Sequence, residues 1–293
     1  MRVTIPRGAT LVAVADTLEA RGVIRSPQIF RFHSRLTGRQ RSIRAGTYDF
    51  PTQTSARRAL RILLRGRLAE RRVVLPEGLM LTEVAEMVRQ QLGVPADSFL
   101  AAARDSALLA TFGISAPSAE GYLYPSTYLA PVGASARDIV SQQLNEFRGR
   151  WRPSWDGRLD SLGMTRHQAV VLASIIEGEA RYGPDRPYVS SVYHNRLRHG
   201  MRLQADPTVI YALGRRRRLY EKDYRFASRY NTYLIDGLPP GPIGQPSAAS
   251  IEAALYPVKT DFLYLVARPD GKHIFSRTLR EHLRASAEIR RTR

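Results

Sequence analysis

The sequence predicts an α+β fold in two portions, a strand-helix portion over residues 1–114 and a mixed α+β portion over 115–293. Three observations carry this. A strand, a Pro-x-Gly turn and a helix occur twice near the start, over 3–24 and again over 73–94. Capped helices with apolar stripes fill the middle. A hairpin around Pro269-Asp270-Gly271-Lys272 precedes one last helix.

The first copy of the repeat runs Val3-Thr4-Ile5-Pro6-Arg7-Gly8 into a helix striped by Leu11, Val14, Ala15 and Leu18 and stopped at Gly22. The second runs Val73-Val74-Leu75-Pro76-Glu77-Gly78, with Leu81, Val84, Ala85 and Val88 as its stripe and Gly93 as its stop. Apolar residues three and four apart share one helix face, and glycine tolerates the left-handed residue that ends a helix. The pattern resembles half of a LysM-like, glycan-binding module; a small packing unit with no ligand fits it as well.

Between the copies, Ser26-Pro27 opens a helix to about Leu36, Gly46 to Pro51 reads as an edge strand, and Ser55 to Leu64 as an arginine-rich helix. Ala96 to Phe112 reads as one Ala/Leu-rich helix, and Ser115-Ala116-Pro117-Ser118 as the linker between the portions. Glu120-Gly121-Tyr122-Leu123-Tyr124-Pro125 and Tyr128 make either a sugar-stacking turn or a packed aromatic one. Ser135 caps a helix to about Phe147, and Thr165 caps the apolar helix that carries Glu177 and Glu179. Helices follow at Arg186–His199 and, capped by Asp206-Pro207, to Leu213. Arg215 to Arg218 reads as a solvated turn or a phosphate contact. Tyr230 to Tyr233 and the proline-stiffened Gly237 to Gly244 read as a cleft wall. Strands Phe262–Ala267 and His273–Ser276 form the hairpin, and a basic helix runs to the end.

Charge narrows the partners. Lys and Arg number 45 against 26 Asp and Glu, a net +19. That balance favours nucleic acid, a phospholipid surface or an anionic wall polymer, or else a surface solvated by arginine. With no cysteine, disulfides, thiol nucleophiles and Cys-based zinc sites are excluded. There is no run of about 18 apolar residues and no signal-like start. The chain is expected either to be cytosolic or to have its targeting segment outside this sequence.

The usual catalytic signatures are missing. There is no Gly-x-Ser-x-Gly elbow, no Walker or Gly-x-Gly-x-x-Gly loop, and His33, His167, His194, His199, His273 and His282 form no His-Glu-x-x-His pair. No metal or cofactor is expected. What stands out is two carboxylates, Glu177 and Glu179, in a helix that otherwise spells a core. Two-carboxylate glycosidases hold their groups about 5 to 9 Å apart across a sugar, whereas positions i and i+2 point roughly 200° apart around a helix. The pair therefore does not work as a pair. One carboxyl suffices for lytic transglycosylation, giving a proton to the leaving oxygen and then taking one from the sugar's own 6-hydroxyl. A buried glutamate tied to arginine fits the spacing too. Ala173 and Ser174 leave more room beside Glu177, but periodicity does not choose between the two glutamates.

The motifs Ala173-Ser174-Ile175-Ile176-Glu177-Gly178-Glu179-Ala180, Val192-Tyr193-His194-Asn195-Arg196-Leu197 and Met201-Arg202-Leu203-Gln204-Ala205-Asp206-Pro207-Thr208 closely resemble the endolytic murein transglycosylases. Tyr230-Asn231-Thr232-Tyr233, Gly237-Leu238-Pro239-Pro240, Glu120 to Pro125 and the hairpin continue the match in the family's order. The resemblance implies a LysM-like N-terminal portion, a C-terminal catalytic domain, and internal cleavage of nascent peptidoglycan strands to leave 1,6-anhydro-N-acetylmuramyl ends. It assigns the catalytic carboxyl to Glu177 and leaves Glu179 a supporting role. Glu120, Tyr124, Asn195, Gln204, Asp206, Tyr230, Asn231 and Thr232 become substrate-binding or scaffold positions. Peptidoglycan synthases are the implied partners, and the membrane face outside the cytoplasm the implied location, through an N-terminal anchor absent from this sequence. Two positions depart from the family: Gly178 where a charged residue is common, and Ser126 where aspartate is. The competing class is a basic, non-enzymatic binder of anionic wall polymer or nucleic acid.

Overall fold

A computed structural model describes residues 1–6, 8–38, 42–65 and 69–291. In chain order the elements are β1 (Arg2–Ile5), α1 (Leu11–Ala20), α2 (Pro27–Leu36), β2 (Gly46–Asp49), α3 (Ala56–Arg65), β3 (Glu70–Val74) and α4 (Leu81–Leu92). Next come α5 (Ala96–Ala102), α6 (Ser106–Ala110), β4 (Thr127–Pro131), α7 (Ala136–Arg150), α8 (Pro153–Leu162) and α9 (Arg166–Glu179). The chain ends with α10 (Arg186–Arg198), α11 (Asp206–Ala212), α12 (Ala248–Leu255), β5 (Tyr264–Ala267), β6 (His273–Ser276) and α13 (Leu279–Arg291). The α+β expectation holds. Among the described residues, no helix is long and apolar enough to cross a membrane.

The chain divides into two compact units. One holds Met1–Val74, Val88–Val94 and Thr127–Ile139; the other holds Leu75–Met87, Pro95–Ser126 and Val140–Arg293. The linker expected at Ser115 thus lies inside the second unit, and the second copy of the repeat is shared between the two.

In the first unit, β1 pairs antiparallel with β2, matching Val3 to Tyr48 and Ile5 to Gly46. The alternation of β1 turns Val3 and Ile5 inward onto Val14, Ala15 and Leu18 of α1, Phe30 of α2 and Leu63 of α3. Ser26 caps α2 through its Oγ, with Pro27 in the first turn, and Gly22 ends the first copy with φ 67°. The strands of the two copies do not pair with each other. β3 pairs instead with β4, from Glu70 opposite Pro131 to Val74 opposite Thr127. Arg7, the middle of the first Pro-x-Gly turn, lies outside the described residues.

The second unit is built on α9. Thr165 and Gln168 form a reciprocal capping box at its start, and Ala169 to Ile176 are all buried. The expected Ala96–Phe112 helix is two helices, because Asp105 turns its side chain to the backbone N–H of Leu108 and starts α6 afresh. The Arg215–Arg218 run is not simply solvated. Arg216 grips both carboxylate oxygens of Glu83, and Arg217 both of Asp223.

Candidate active site

Glu177 sits in the last turn of α9, where the helix emerges from the core. Its side chain keeps 8% of its surface exposed. Oε2 accepts hydrogen bonds from the backbone N–H of Ser247, at 2.8 Å, and from the Ser247 hydroxyl. Oε1 accepts one from Arg186 Nη2 at 3.2 Å. Ser247 is the N-cap of α12, so the carboxylate faces the N–H end of that helix, where negative charge is stabilised. Arg186 opens α10. Three helix ends therefore meet at this one carboxyl.

The second Pro-x-Gly turn closes the site from another side. The Gly78 N–H donates to the carbonyl of Gln245 at 2.7 Å, and the Gln245 N–H donates to the carbonyl of Leu79 at 2.9 Å. A Cβ on Gly78 would lie 3.7 Å from Glu177 Cγ, and one on Gly244 would lie only 2.9 Å from the Gly78 carbonyl oxygen. The Gly237–Gly244 segment thus ends as a buried layer locked to the turn, so its far end is wall rather than lid. Arg216 Nη2 donates to the Gly78 carbonyl as well.

Glu120 belongs to the same layer. It is 5% exposed. The Leu81 N–H, opening α4, donates to both its oxygens at 3.0 Å, Gln245 Nε2 donates at 2.6 Å and the Tyr211 hydroxyl at 3.2 Å. Burial outweighs these donors and raises its carboxyl to about 7. Tyr211 packs on Tyr230, ring centroids 4.7 Å apart. Glu120 and Tyr230 therefore brace the layer behind Glu177.

Glu179 faces a different environment. Part of the residue reaches solvent, yet its Oε2 is buried and, among the described residues, has no hydrogen-bond partner. Burial and the charge of Asp206 raise its carboxyl to about 7, while a hydrogen bond from Tyr193 and the charge of Arg196 pull the other way. Asp206 accepts from Tyr233 at 2.7 Å and from Tyr224 at 3.4 Å. It is the first residue of α11 rather than its cap. Gln204 is exposed in the left-handed region, φ 49°, unusual for a residue with a side chain. Its Oε1 accepts from Arg196 at 3.3 Å. Glu179, Gln204 and Asp206 thus form a second polar group around Tyr193 and Arg196.

The YceG-like family model matches residues 3–288. The chain belongs to the YceG-like family. It is 30% identical over 302 residues to the endolytic murein transglycosylase of Bacillus subtilis, covering 97% of this chain and 83% of that protein. It is 28% identical over 319 residues to the one of Streptococcus pneumoniae D39, covering 98% of this chain and 58% of that protein. A crystal structure of a YceG-like protein from Listeria monocytogenes superposes with a TM-score of 0.67 at 33% identity, covering 97% of this chain and 98% of that one.

Three positions expected to bind substrate in this YceG-like chain are committed to its own backbone. Asn195 is 3% exposed and donates from Nδ2 to the carbonyls of Thr260 and Phe262, at 2.8 and 2.9 Å. Asn231 is fully buried and donates to the carbonyls of Tyr224 and Phe226. Thr232 is fully buried against the Ala205 N–H and the Thr208 hydroxyl. Their side-chain donors are spent, so they hold loops rather than ligand. Tyr124 lies under the guanidinium of Arg150, centroid 5.5 Å away. Gly178 has a packing reason: a Cβ there would lie 2.7 Å from Pro207 Cβ, where α9 meets α11. A longer residue at this position needs that junction opened. Two contacts of Glu177 were missed in the sequence, Arg186 and Ser247. Ser247 had a signal, a serine ahead of an Ala/Ile/Leu stretch; Arg186 had none. Among the described residues, no group of three or more His, Asp or Glu is placed to hold a metal ion.

Proposed function

We propose that this chain is a murein lytic transglycosylase in which Glu177 is the single acid-base carboxyl. The observation that carries this is the separation of the two glutamates: Glu177 is held by Ser247 and Arg186 beside Gly78, while Glu179 turns to Tyr193 and Asp206. Family membership and the names of the relatives add the substrate class, peptidoglycan.

The chemistry needs no second carboxylate. Protonated Glu177 gives its proton to the glycosidic oxygen as the bond from muramyl C1 breaks. The resulting carboxylate takes the proton of the muramyl 6-hydroxyl, whose oxygen closes onto C1. The product is a 1,6-anhydro end, and no water is consumed. Arg186 steadies the carboxylate, and Ser247 Oγ suits both steps, because a hydroxyl donates to the carboxylate and accepts from the acid. Gly78, Gln245 and Glu120 supply the rigid backing that positioning requires. Action within nascent strands beside peptidoglycan synthases, on the outer face of the cell membrane through an anchor outside this sequence, completes the proposal. The competing class, a basic binder, loses its clearest footing because Arg216 and Arg217 are already paired.

The test is mass spectrometry of purified glycan strands after digestion. Anhydro ends that vanish in Glu177→Gln are the expected result. Reducing muramic ends would make the enzyme a hydrolase, and turnover surviving in Glu177→Gln would move the acid elsewhere.

A further inference from the structure

A cavity of about 690 Å³ lies in the same unit as Glu177, which is not among its lining residues. It is framed by α8, the C-terminal half of α10 and the segment from Pro257 to Phe262. Arg186, the partner of Glu177, opens α10, and Arg198, on the cavity, is its last residue. At about 1.5 Å per residue the helix residues on the cavity, Ser191 to Arg198, lie roughly 8 to 18 Å along the helix from Arg186.

Its wall is built rather than incidental. Asn195 pins the carbonyls of Thr260 and Phe262 to α10, and Ser191 Oγ lies 2.7 Å from Thr260 Oγ1. Arg158 is fixed by donating Nε to the Leu255 carbonyl at 2.7 Å. His194 lines the same space and is tied through Nε2 to the Ala254 carbonyl.

The charge around it is one-sided. Arg158, Arg198, Lys259 and Arg277 line it with one carboxylate, Asp261, and the nearby Glu281, outside the lining, accepts from the Arg277 backbone N–H and lies in its field. Among the described residues none of these four cations makes an ion pair with a carboxylate, whereas Arg152, Arg166, Arg202, Arg216 and Arg217 each do. The field is felt inside: Arg198 and Arg158 both help burial to hold the His194 imidazole below its ordinary pKa.

We propose that this cavity is a binding site for an organic diphosphate. One carboxylate ligand would leave most of the excess positive charge unmatched, whereas a diphosphate carries two or three negative charges and presents oxygens suited to arginine forks. The volume exceeds what the two phosphates fill and lies in the range of small-molecule pockets. Leu162, Val258 and Phe262 give the organic part an apolar wall.

Isothermal titration of the whole chain with inorganic pyrophosphate at low ionic strength tests the site. Uridine diphosphate and farnesyl diphosphate serve as arms that separate a soluble source from a lipid one. One-to-one binding is expected, with Lys259→Gln/Arg277→Gln weakening it by roughly tenfold or more at unchanged Tm. Arg215→Gln/Arg218→Gln, which removes the same charge elsewhere, is expected to leave affinity within about twofold. Equal weakening in both double variants would reduce the effect to net charge and overturn the proposal. So would the absence of binding in all three arms. Neither result bears on whether Glu177 cleaves glycan.

Discussion

Glu120→Gln tests the buried layer most directly. In the folded chain the carboxyl is raised from 4.5 to about 7, and burial is the main cause. Between those values the folded protein keeps a proton that the unfolded chain has released. Stability is therefore highest below pH 4.5 for this group and is lost as pH rises through about 7. The displacement corresponds to about 3 kcal/mol. Glu179, raised to about 7 by burial and Asp206, declines in the same window. On going from about pH 5 to about pH 8, Glu120→Gln should lose about 2 to 3 kcal/mol less stability than wild type, because the amide never ionises, while the His194 and His282 imidazoles, held low in the folded chain chiefly by burial, act in the opposite sense in both proteins. Glutamine can still accept from Leu81 and Gln245 and can donate to the Tyr211 oxygen, so the layer need not open. Urea unfolding at four pH values between these limits gives the two slopes. If the variant declines in parallel with wild type, Glu120 is already charged at neutral pH and the account of the layer is wrong.

Other perturbations separate scaffold from chemistry. Gly178→Ala should destabilise by about 1 to 3 kcal/mol, because its methyl meets Pro207 head-on; an unchanged Tm would refute that close approach. Asn231→Ala strips the donors from two carbonyls, of Tyr224 and Phe226, and should cost about 2 to 3 kcal/mol while leaving KM for glycan unchanged; a raised KM at native stability would return Asn231 to the substrate site. Ser247→Ala keeps the backbone N–H to Glu177 but removes the hydroxyl, so kcat should fall by about tenfold or more with KM little changed. A kcat equal to wild type would remove the hydroxyl from the proton path.

Local chemistry was the legible part of the fold. Ser26-Pro27, Thr165, and the glycines at 22 and 93 each mark a helix end by a rule that depends on a few neighbouring residues. The hairpin strand His273–Ser276 came out as expected, while its partner begins at Tyr264 rather than Phe262. Long-range commitments were not legible. Thr127–Pro131 looked like the tail of an aromatic turn, and only its register against Glu70–Val74 makes it a strand. The helices Pro153–Leu162 and Ala248–Leu255 are short and lack an apolar stripe long enough to announce them, and Ser247 caps the second. Arg186 is one of 45 basic residues, and nothing near it in the chain distinguishes it. In the site, motif resemblance singled out Glu177, but it could not tell ligand-facing positions from Asn195, Asn231 and Thr232, since a side chain that pins a loop leaves the same mark in a motif as one that touches substrate.

The turn at Gly78 also sets an order of events in time. Ser247 lies 70 positions from Glu177, Gln245 lies 125 from Glu120, and Arg216 lies 138 from Gly78. Contacts so distant along the chain form late, after the local helices have settled. A chain that has emerged only as far as α10 carries its glutamate on a finished helix but has neither the wall nor the serine that flank it. The setting of Glu177 thus depends on a segment 70 positions further along the chain, which makes its wall and its serine the last parts of the proposed site to be put in place.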